Sequence, residues 1–400
     1  MPEPGDRQLT ADARLILAVQ ALRAFAYGLG AVLIGVSLER ASLSGLAVGV
    51  ILAALLVGAA LTSILIGRYG DQLGRRRCYR LLLLVLAASG TVFALTSWPP
   101  ALVLAALTGT ISPDVVESGP FTSLEQAMLP RTVPGDPTRL FGTYNTIATL
   151  AGSVGALAAA LPSLFSGTSP QLWLLAYPVC ALSALPLAAR LSAGVDVEPL
   201  PGGLSRHPLT RSKTIVRQMA ALFALDSFGG GFVVQTFIAY WFARRFNASP
   251  DTLGVIFFAI GLLQAGSFQV AVRIAGRIGL LKTMVFTHLP SNLVLAAIAF
   301  APNLATAVVL LLARFALSQM DVPPRQAYVV AVVTPDERTA AAAYTNSARY
   351  AVRPLAPPVA GGLLTTTFLG APFLVAGALK TGYDLGFYLL FRRVPVRADD

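Results

Sequence analysis

The chain has 400 residues, of which 55% are hydrophobic and 12% charged, with a mean hydropathy of +0.69. Soluble domains carry about 25% charged residues, so this composition excludes an ordinary soluble protein and describes a chain solvated largely by lipid. The formal net charge is +11, which could point to nucleic acid until the positions of the basic residues are known.

In chain order, the first residues (MPEPGDRQLTAD) are polar and hold no short apolar core before a small-residue cleavage site, so no removable signal peptide is expected. A membrane span needs about 20 mostly apolar residues. Stretches of that kind, bounded by Pro, Gly and charge, predict twelve spans at 15–38, 43–66, 79–98, 101–129, 140–164, 171–192, 214–243, 251–275, 281–301, 304–332, 338–368 and 371–391. The fourth, seventh, tenth and eleventh are the longest and most polar, which predicts tilted helices lining a cavity. The longest hydrophilic connection, 193–213, is rich in Pro, Gly and charge and divides the spans six and six. The domain reading is therefore an N-terminal bundle over 1–192, a linker over 193–213 and a C-terminal bundle over 214–400.

With the N-terminus in the cytoplasm, the inner loops and tails hold most of the basic residues, among them Arg75, Arg76, Arg77, Arg211, Lys213, Lys282, Arg392 and Arg393. The outer loops are expected to hold Arg40, Arg244 and Arg245. This is the positive-inside pattern. It places both termini in the cytoplasm of a bacterial-type inner (plasma) membrane and accounts for the charge with no nucleic acid. Trp98, Trp173 and Trp241 fall near outer ends, where interfacial anchors belong. Cys78 and Cys180 are too few and too far apart for a disulfide framework or a metal site, and read as packing thiols.

The two halves repeat. Leu22, Phe25 and Gly28 match Leu225, Phe228 and Gly231, and Gly49-Val50-Ile51 matches Gly254-Val255-Ile256. At a constant offset of 200 residues, Gln126-Ala127 matches Gln326-Ala327, Asp136 matches Asp336 and Tyr144 matches Tyr344. Parallel repeats of six spans are an architecture of membrane transporters.

Between the second and third spans, residues 67–77 read GRYGDQLGRRR, with Gly67, Asp71, Gly74, Arg75 and Arg76 in sequence. This resembles the signature loop of the major facilitator superfamily, G-x-x-x-D-R-x-G-R-[RK]-[RK], with Gln72 in place of its first arginine. A degenerate copy from Val272 to Lys282 lies between the eighth and ninth spans. The resemblance implies an all-α membrane protein of twelve transmembrane helices in two pseudo-symmetric six-helix bundles. It also implies that Asp71 and Arg75 help latch the cytoplasmic side in one transport state, a network that Gln72 leaves short of one charge. The basic run suits an anionic inner leaflet. Pro354 to Gly362 in the eleventh span is close to the proline and glycine run of the family's antiporters, whereas the fifth span shows only Gly142, Gly152 and Gly155.

Charged residues inside spans are costly and usually face a cavity and a partner. The fourth span carries Asp114, Glu117, Ser118 and Glu125 on one helical face, and the tenth carries Arg314, Ser318, Asp321 and Arg325 on the equivalent one. Across the repeat Asp114 corresponds to Arg314, Glu125 to Arg325 and Arg23 to Asp226, so each pair opposes charges. Asn346, Arg349 and Arg353 follow at helical spacing in the eleventh span, and His288 reads as a packed polar residue. By the resemblance these groups converge near the pseudo-two-fold axis, with Asp226, Asp114 or Glu117 carrying a proton.

The leading functional expectation is secondary transport of a small organic solute by alternating access, as proton-coupled efflux. Uptake of an organic anion is the alternative, and a non-transporting receptor on the same fold a second one. No phosphate-cradling loop, metal-spaced cluster or nucleophile elbow points to an enzyme. The expectation is a monomer in the bilayer that needs no cofactor or metal beyond a proton gradient.

Overall fold

In hydrocarbon every backbone polar group must find its partner within the chain, and all regular structure among the described residues is helical. The computed structural model describes residues 10–114, 119–129, 137–165, 169–196, 211–334, 337–365 and 367–394. The elements are α1 (Ala11–Arg40), α2 (Gly45–Leu73), α3 (Arg75–Leu95), α4 (Pro99–Leu107), α5 (Pro120–Met128), α6 (Pro137–Ala158), α7 (Ala176–Ala189) and α8 (Lys213–Gly231), followed by α9 (Gln235–Phe246), α10 (Pro250–Ile278), α11 (Leu280–Ile298), α12 (Leu304–Ser318), α13 (Val322–Ala331), α14 (Arg338–Val352), α15 (Ala356–Leu363) and α16 (Ala371–Phe391). They make twelve crossings, α1–α7 forming one six-span bundle and α8–α16 the other. Nine helical stretches among the described residues are long and apolar enough to cross a membrane on their own.

Four crossings are broken: α4/α5, α8/α9, α12/α13 and α14/α15. These are the four spans expected to be long, polar and tilted, and the sequence at each break explains the interruption. Proline removes a helix donor and clashes with the preceding turn. Gly109 at φ +72°, Pro113 and Pro120 bound the first break. Gly229-Gly230-Gly231 precede the second, Pro323 and Pro324 follow the third, and Pro354 sits in a 3-10 turn over Arg353–Leu355 at the fourth. The intact helices carry ordinary start signals. Thr10 Oγ1 accepts from Ala13 N at 3.2 Å and Ser44 Oγ from Ala47 N at 3.2 Å. The tight joints α2–α3 and α10–α11 turn on Gly74 and Gly279, both at φ +86°, a conformation open to glycine and costly for other residues.

The bundles meet close to the face opposite the termini. There α2 crosses α15 so tightly that a Cβ on Gly49 would stand 2.3 Å from the Pro357 carbonyl oxygen, and Gly361 abuts Gly45. The repeat-related crossing of α10 on α6 puts Gly254 against the Ala156 carbonyl and Gly261 against Ser153. Between these seams α1 packs on α9, with Gly35 against Thr236 and Tyr240 donating to the Leu43 carbonyl at 3.4 Å. One apolar core, holding Leu33, Val36, Phe237, Ile238, Trp241 and Ile256 among others, joins the two bundles here. Toward the terminal face the C-terminal bundle keeps a separate core of its own, with Val216, Phe223, Met284, Tyr328, Tyr383 and Phe387. Shared core at one end and divided core at the other describe a wedge that opens on the side of the termini.

Trp241 departs from its expected place at the lipid interface. It is 1% exposed, packs edge-on against Phe242 and Phe246 and tilted against Phe373, and donates to the Leu369 carbonyl at 2.6 Å. Trp98, by contrast, is 63% exposed at the start of α4. Arg40, Arg244 and Arg245, expected in loops, close the last turns of α1 and α9, where cations complement the helix dipole.

Candidate functional site

The N-terminal bundle buries one ion pair completely. Arg23 on α1 donates to Glu125 on α5 at 2.6 Å, and Glu125 is 0% exposed. Tyr79 and Tyr144 also donate to this carboxylate, at 2.6 and 2.5 Å. Gln20 donates to the Tyr144 carbonyl at 3.0 Å, and the guanidinium lies 4.6 Å from the centre of the Phe121 ring. A buried charge is tolerable only when paired and hydrogen-bonded, and this one meets both conditions within its own bundle.

The C-terminal bundle centres on Asp226 of α8. Lys380 of α16 donates to one of its oxygens, Arg325 of α13 lies 3.5 Å from the other, and His288 Nε2 of α11 stands 3.9 Å away. Arg325 also pairs with Asp321 at 3.0 Å. On its other side the His288 ring places Nδ1 2.9 Å from Asp384, which accepts from Asn292 at 2.8 Å. Three crossings thus reach one carboxylate, and His288 links it to a second. His288 is thus packed as expected, at 3% exposure, and its ring lies between these two acids. The repeat correspondence is preserved with reversed polarity: Arg23–Glu125 in one bundle, Asp226–Arg325 in the other.

The bundles meet in the middle through Asp114, in the break between α4 and α5. One oxygen accepts from Gln235 N at 2.9 Å and the other from Arg353 of the fourth break. Thr236 donates its N–H and hydroxyl to the Pro113 carbonyl at 3.1 and 3.0 Å. The first residue of α9 therefore has its N–H taken by an acid from the opposite bundle, where a negative charge suits the helix terminus.

The sequence correspondence Asp114–Arg314 does not become a contact. Arg314 is 7% exposed, its guanidinium 4.5 Å from the Phe315 ring centre, and its Nε and Nη1 meet no acceptor among the described residues. Ser318 Oγ and Arg349 Nε are likewise buried without a partner there. Nor do Arg23 and Asp226 meet at the axis; each is held inside its own bundle. Asn346 is exposed on α14. Glu117, expected to share this region, lies outside the described residues.

In the signature loop Gly67 sits inside α2 with open space beside it, so it neither turns the chain nor admits a close neighbour. Of Asp71 only the backbone, in the last turn of α2, is described. Gly74 makes the turn, and Arg75 donates to the Ala127 carbonyl at 2.7 Å. Arg76 binds Asp196 through its N–H at 3.1 Å and Nε at 2.6 Å. Partial burial works against the Asp196 charge, but the hydrogen bonds and charge of Arg76 prevail and hold the carboxyl below its ordinary value. The contacts described for the two arginines are thus to α5 and to the start of the segment that follows α7.

Lys380, Asp384, Tyr79 and Asn292 had no place among the expected site residues, whereas Glu125 was expected on the polar face of the fourth span. Lys380 and Asp384 lie i,i+4 on the face of α16 turned to α8 and α11, a signal readable from two charges in an otherwise apolar span. Among the described residues no group of three His, Cys, Asp or Glu is placed to hold a metal, and Cys78 and Cys180 are buried free thiols.

No protein-family model matches the chain. An uncharacterized membrane protein of Saccharomyces cerevisiae is 24% identical over 426 aligned residues, covering 96% of this chain and 95% of the yeast protein. Among solved structures, the inward-open conformation of the xylose transporter XylE from E. coli is similar with a TM-score of 0.75 at 14% identity, over 97% of this chain and 98% of that one. The nucleoside transporter NupG is similar with a TM-score of 0.71 at 14% identity, over 95% and 99%. The chain has the fold of the major facilitator superfamily.

Proposed function

We propose that this chain is a secondary transporter that moves a small organic solute across its membrane by alternating access, with Asp226 as the group that takes up and releases the driving proton. The observation that carries the reading is the position of Asp226. It is a buried carboxylate held by Lys380, Arg325 and His288 from three other crossings, and it lies in the turns just before the break that joins α8 to α9. Helix α9 is the element that closes the far face against α1. Protonation removes the charge that seats Lys380 against α8, beside Gly229 and Gly230, so the state of one acid reaches the closing element through a single break.

The wedge shape supports the same reading, and so do the XylE and NupG structures, whose names are those of a xylose and a nucleoside transporter. With the termini in the cytoplasm, the open side is the inner one. Efflux is the direction we favour, since the antiporter-like run Pro354 to Gly362 supplies the Pro357–Gly49 and Gly361–Gly45 seam. The protein acts as a monomer in this scheme.

The test is solute movement in proteoliposomes under an imposed pH gradient. Gradient-driven movement that disappears in Asp226→Asn, while the variant elutes as a folded monomer, is the expected result. Wild-type coupling in that variant would remove Asp226 from the mechanism. Folded protein that moves no solute from a broad panel would favour the receptor reading instead.

A further inference from the structure

Arg314 and Ser318 lie one helical turn apart on α12, so their side chains share a face. Both are more than nine-tenths buried, at 7% and 8% exposure. Arg314 Nε and Nη1 and Ser318 Oγ nevertheless meet no acceptor among the described residues. A buried serine in a helix commonly bonds back to the carbonyl four residues earlier. Here that carbonyl, on Arg314, is taken by Ser291 of α11 at 3.2 Å, and the serine hydroxyl is left over. The two acids that Arg314 could have paired with by position in the repeat and in its own bundle are Asp114, across the interface, and Asp226. Both are already engaged, Asp226 by Lys380 and Arg325, Asp114 by Arg353 and Gln235. Neither forms an ion pair with Arg314.

An unpaired buried cation is among the most costly features a fold can hold. Three donor atoms on one face, with acceptors nearby but occupied, define what would relieve it. The partner must bring oxygen acceptors and negative charge and no donors of its own. A guanidinium presents a planar fork that matches carboxylate or phosphate oxygens, and the serine hydroxyl adds a donor one turn along. The C-terminal end of α12 opposes an anion, but its partial charge is about half a unit against the full charge of Arg314.

We infer that Arg314 and Ser318 form the oxyanion subsite of the transported solute, which is therefore an organic anion bearing a carboxylate or phosphate group. Transport of that anion rests on the carrier reading above; its binding can be measured independently.

The experiment uses the full chain in lipid nanodiscs, with benzoate, phenyl phosphate and the uncharged benzamide as probes at matched ionic strength. Thermal unfolding is followed by tryptophan fluorescence. Saturable stabilisation by benzoate or phenyl phosphate, and none by benzamide, is expected. Benzoate alone would mark a carboxylate site and phenyl phosphate alone a phosphate site. Affinity should fall at least tenfold in Arg314→Gln and by a smaller factor in Ser318→Ala, which leaves the charge in place should the arginine variant fail to fold. Wild-type affinity in Ser318→Ala and in a folded Arg314→Gln, equal stabilisation by benzamide, or no stabilisation by either anion would overturn the subsite. Anion binding without gradient-driven movement would keep the subsite and sink the carrier. Movement of an uncharged solute without anion binding would do the reverse.

Discussion

Glu125 receives Arg23, Tyr79 and Tyr144 with no exposure to solvent, whereas its counterpart Arg325 shares Asp226 with a lysine and a histidine. The first arrangement holds a bundle together; the second is the one proposed above to change state. Glu125→Gln should therefore cost about 3–5 kcal/mol, the range for stranding one member of a buried pair, read as a lower unfolding temperature. The pH dependence of transport in surviving protein should stay as in the wild type, and a shifted profile would place Glu125 in the coupling. Asp196 offers a contrasting case at the terminal face. Because its folded-state carboxyl lies below the ordinary value, its contribution is complete above the unfolded value of about 3.9 and is lost as pH falls through the lower folded one. Asp196→Asn should thus erase a small, acid-sensitive share of stability, under about 1 kcal/mol for so accessible a pair, and leave unfolding at neutral and alkaline pH with the same slope. A change in that slope above pH 5 would contradict the Arg76 assignment. The sequence shows which charges oppose one another across the repeat, yet not which of them touch. Offset relates equivalent positions in two bundles, while contact is decided inside each bundle, by helices such as α16 that the charge-bearing α12 and α13 do not predict.

At the scale of elements, the twelve crossings were readable because apolar length is dictated by bilayer thickness; most of their ends fall within four residues of the helices observed, while the second span ends at 66 where α2 runs on to Leu73 and the fifth at 164 where α6 stops at Ala158. The breaks were written in Gly109, Pro113, Gly229 to Gly231, Pro323 and Pro354, but composition alone does not separate a kinked span from an interrupted one, since neighbouring elements must take over the freed backbone groups. Asp114 is such a neighbour. Asn caps a helix start about as well as Asp but carries no charge. Asp114→Asn should weaken only the tie to Arg353, and Asp114→Ala should also uncap α9, at a further cost of about 0.5–2 kcal/mol. Spin-label distances between α1 and α9 at the far face should widen in the order wild type, Asn, Ala. Equal distances in Asn and Ala variants would show that the cap contributes nothing to closure. The α2–α15 seam is read in the same way. A Gly49→Val side chain has the Pro357 oxygen and Pro358 Cα in its path, and overpacking of this kind costs about 1–3 kcal/mol. The α2–α15 distance should lengthen, with stability in unfolding assays reduced by the same order.

For the molecule as a whole, the decisive feature is that the shared core lies at one end. Packed interiors are bistable rather than continuously deformable, so in the alternating-access scheme proposed above a second arrangement separates α1 from α9 and brings the divided cores at the terminal face together. Locking the far face therefore has a definite consequence. Leu43 and Tyr240 come together there through the tyrosine hydroxyl and the Leu43 carbonyl, and cysteines at these two positions can be bridged by a bis-methanethiosulfonate reagent, whose disulfides are reducible. The free thiols at Cys78 and Cys180 are buried and can be replaced by alanine as a precaution. Bridged protein should lose transport in proteoliposomes and regain it on reduction, yet still bind an anion in nanodiscs, because in the proposed scheme the anion subsite is reached from the terminal face. The three readouts separate the possibilities. Transport that survives the bridge would mean that the α1–α9 seam does not open during the cycle, and the closing role of α9 would fall with it. Loss of anion binding together with transport would mean that solute enters from the far face, which would reverse the direction in which the wedge is read.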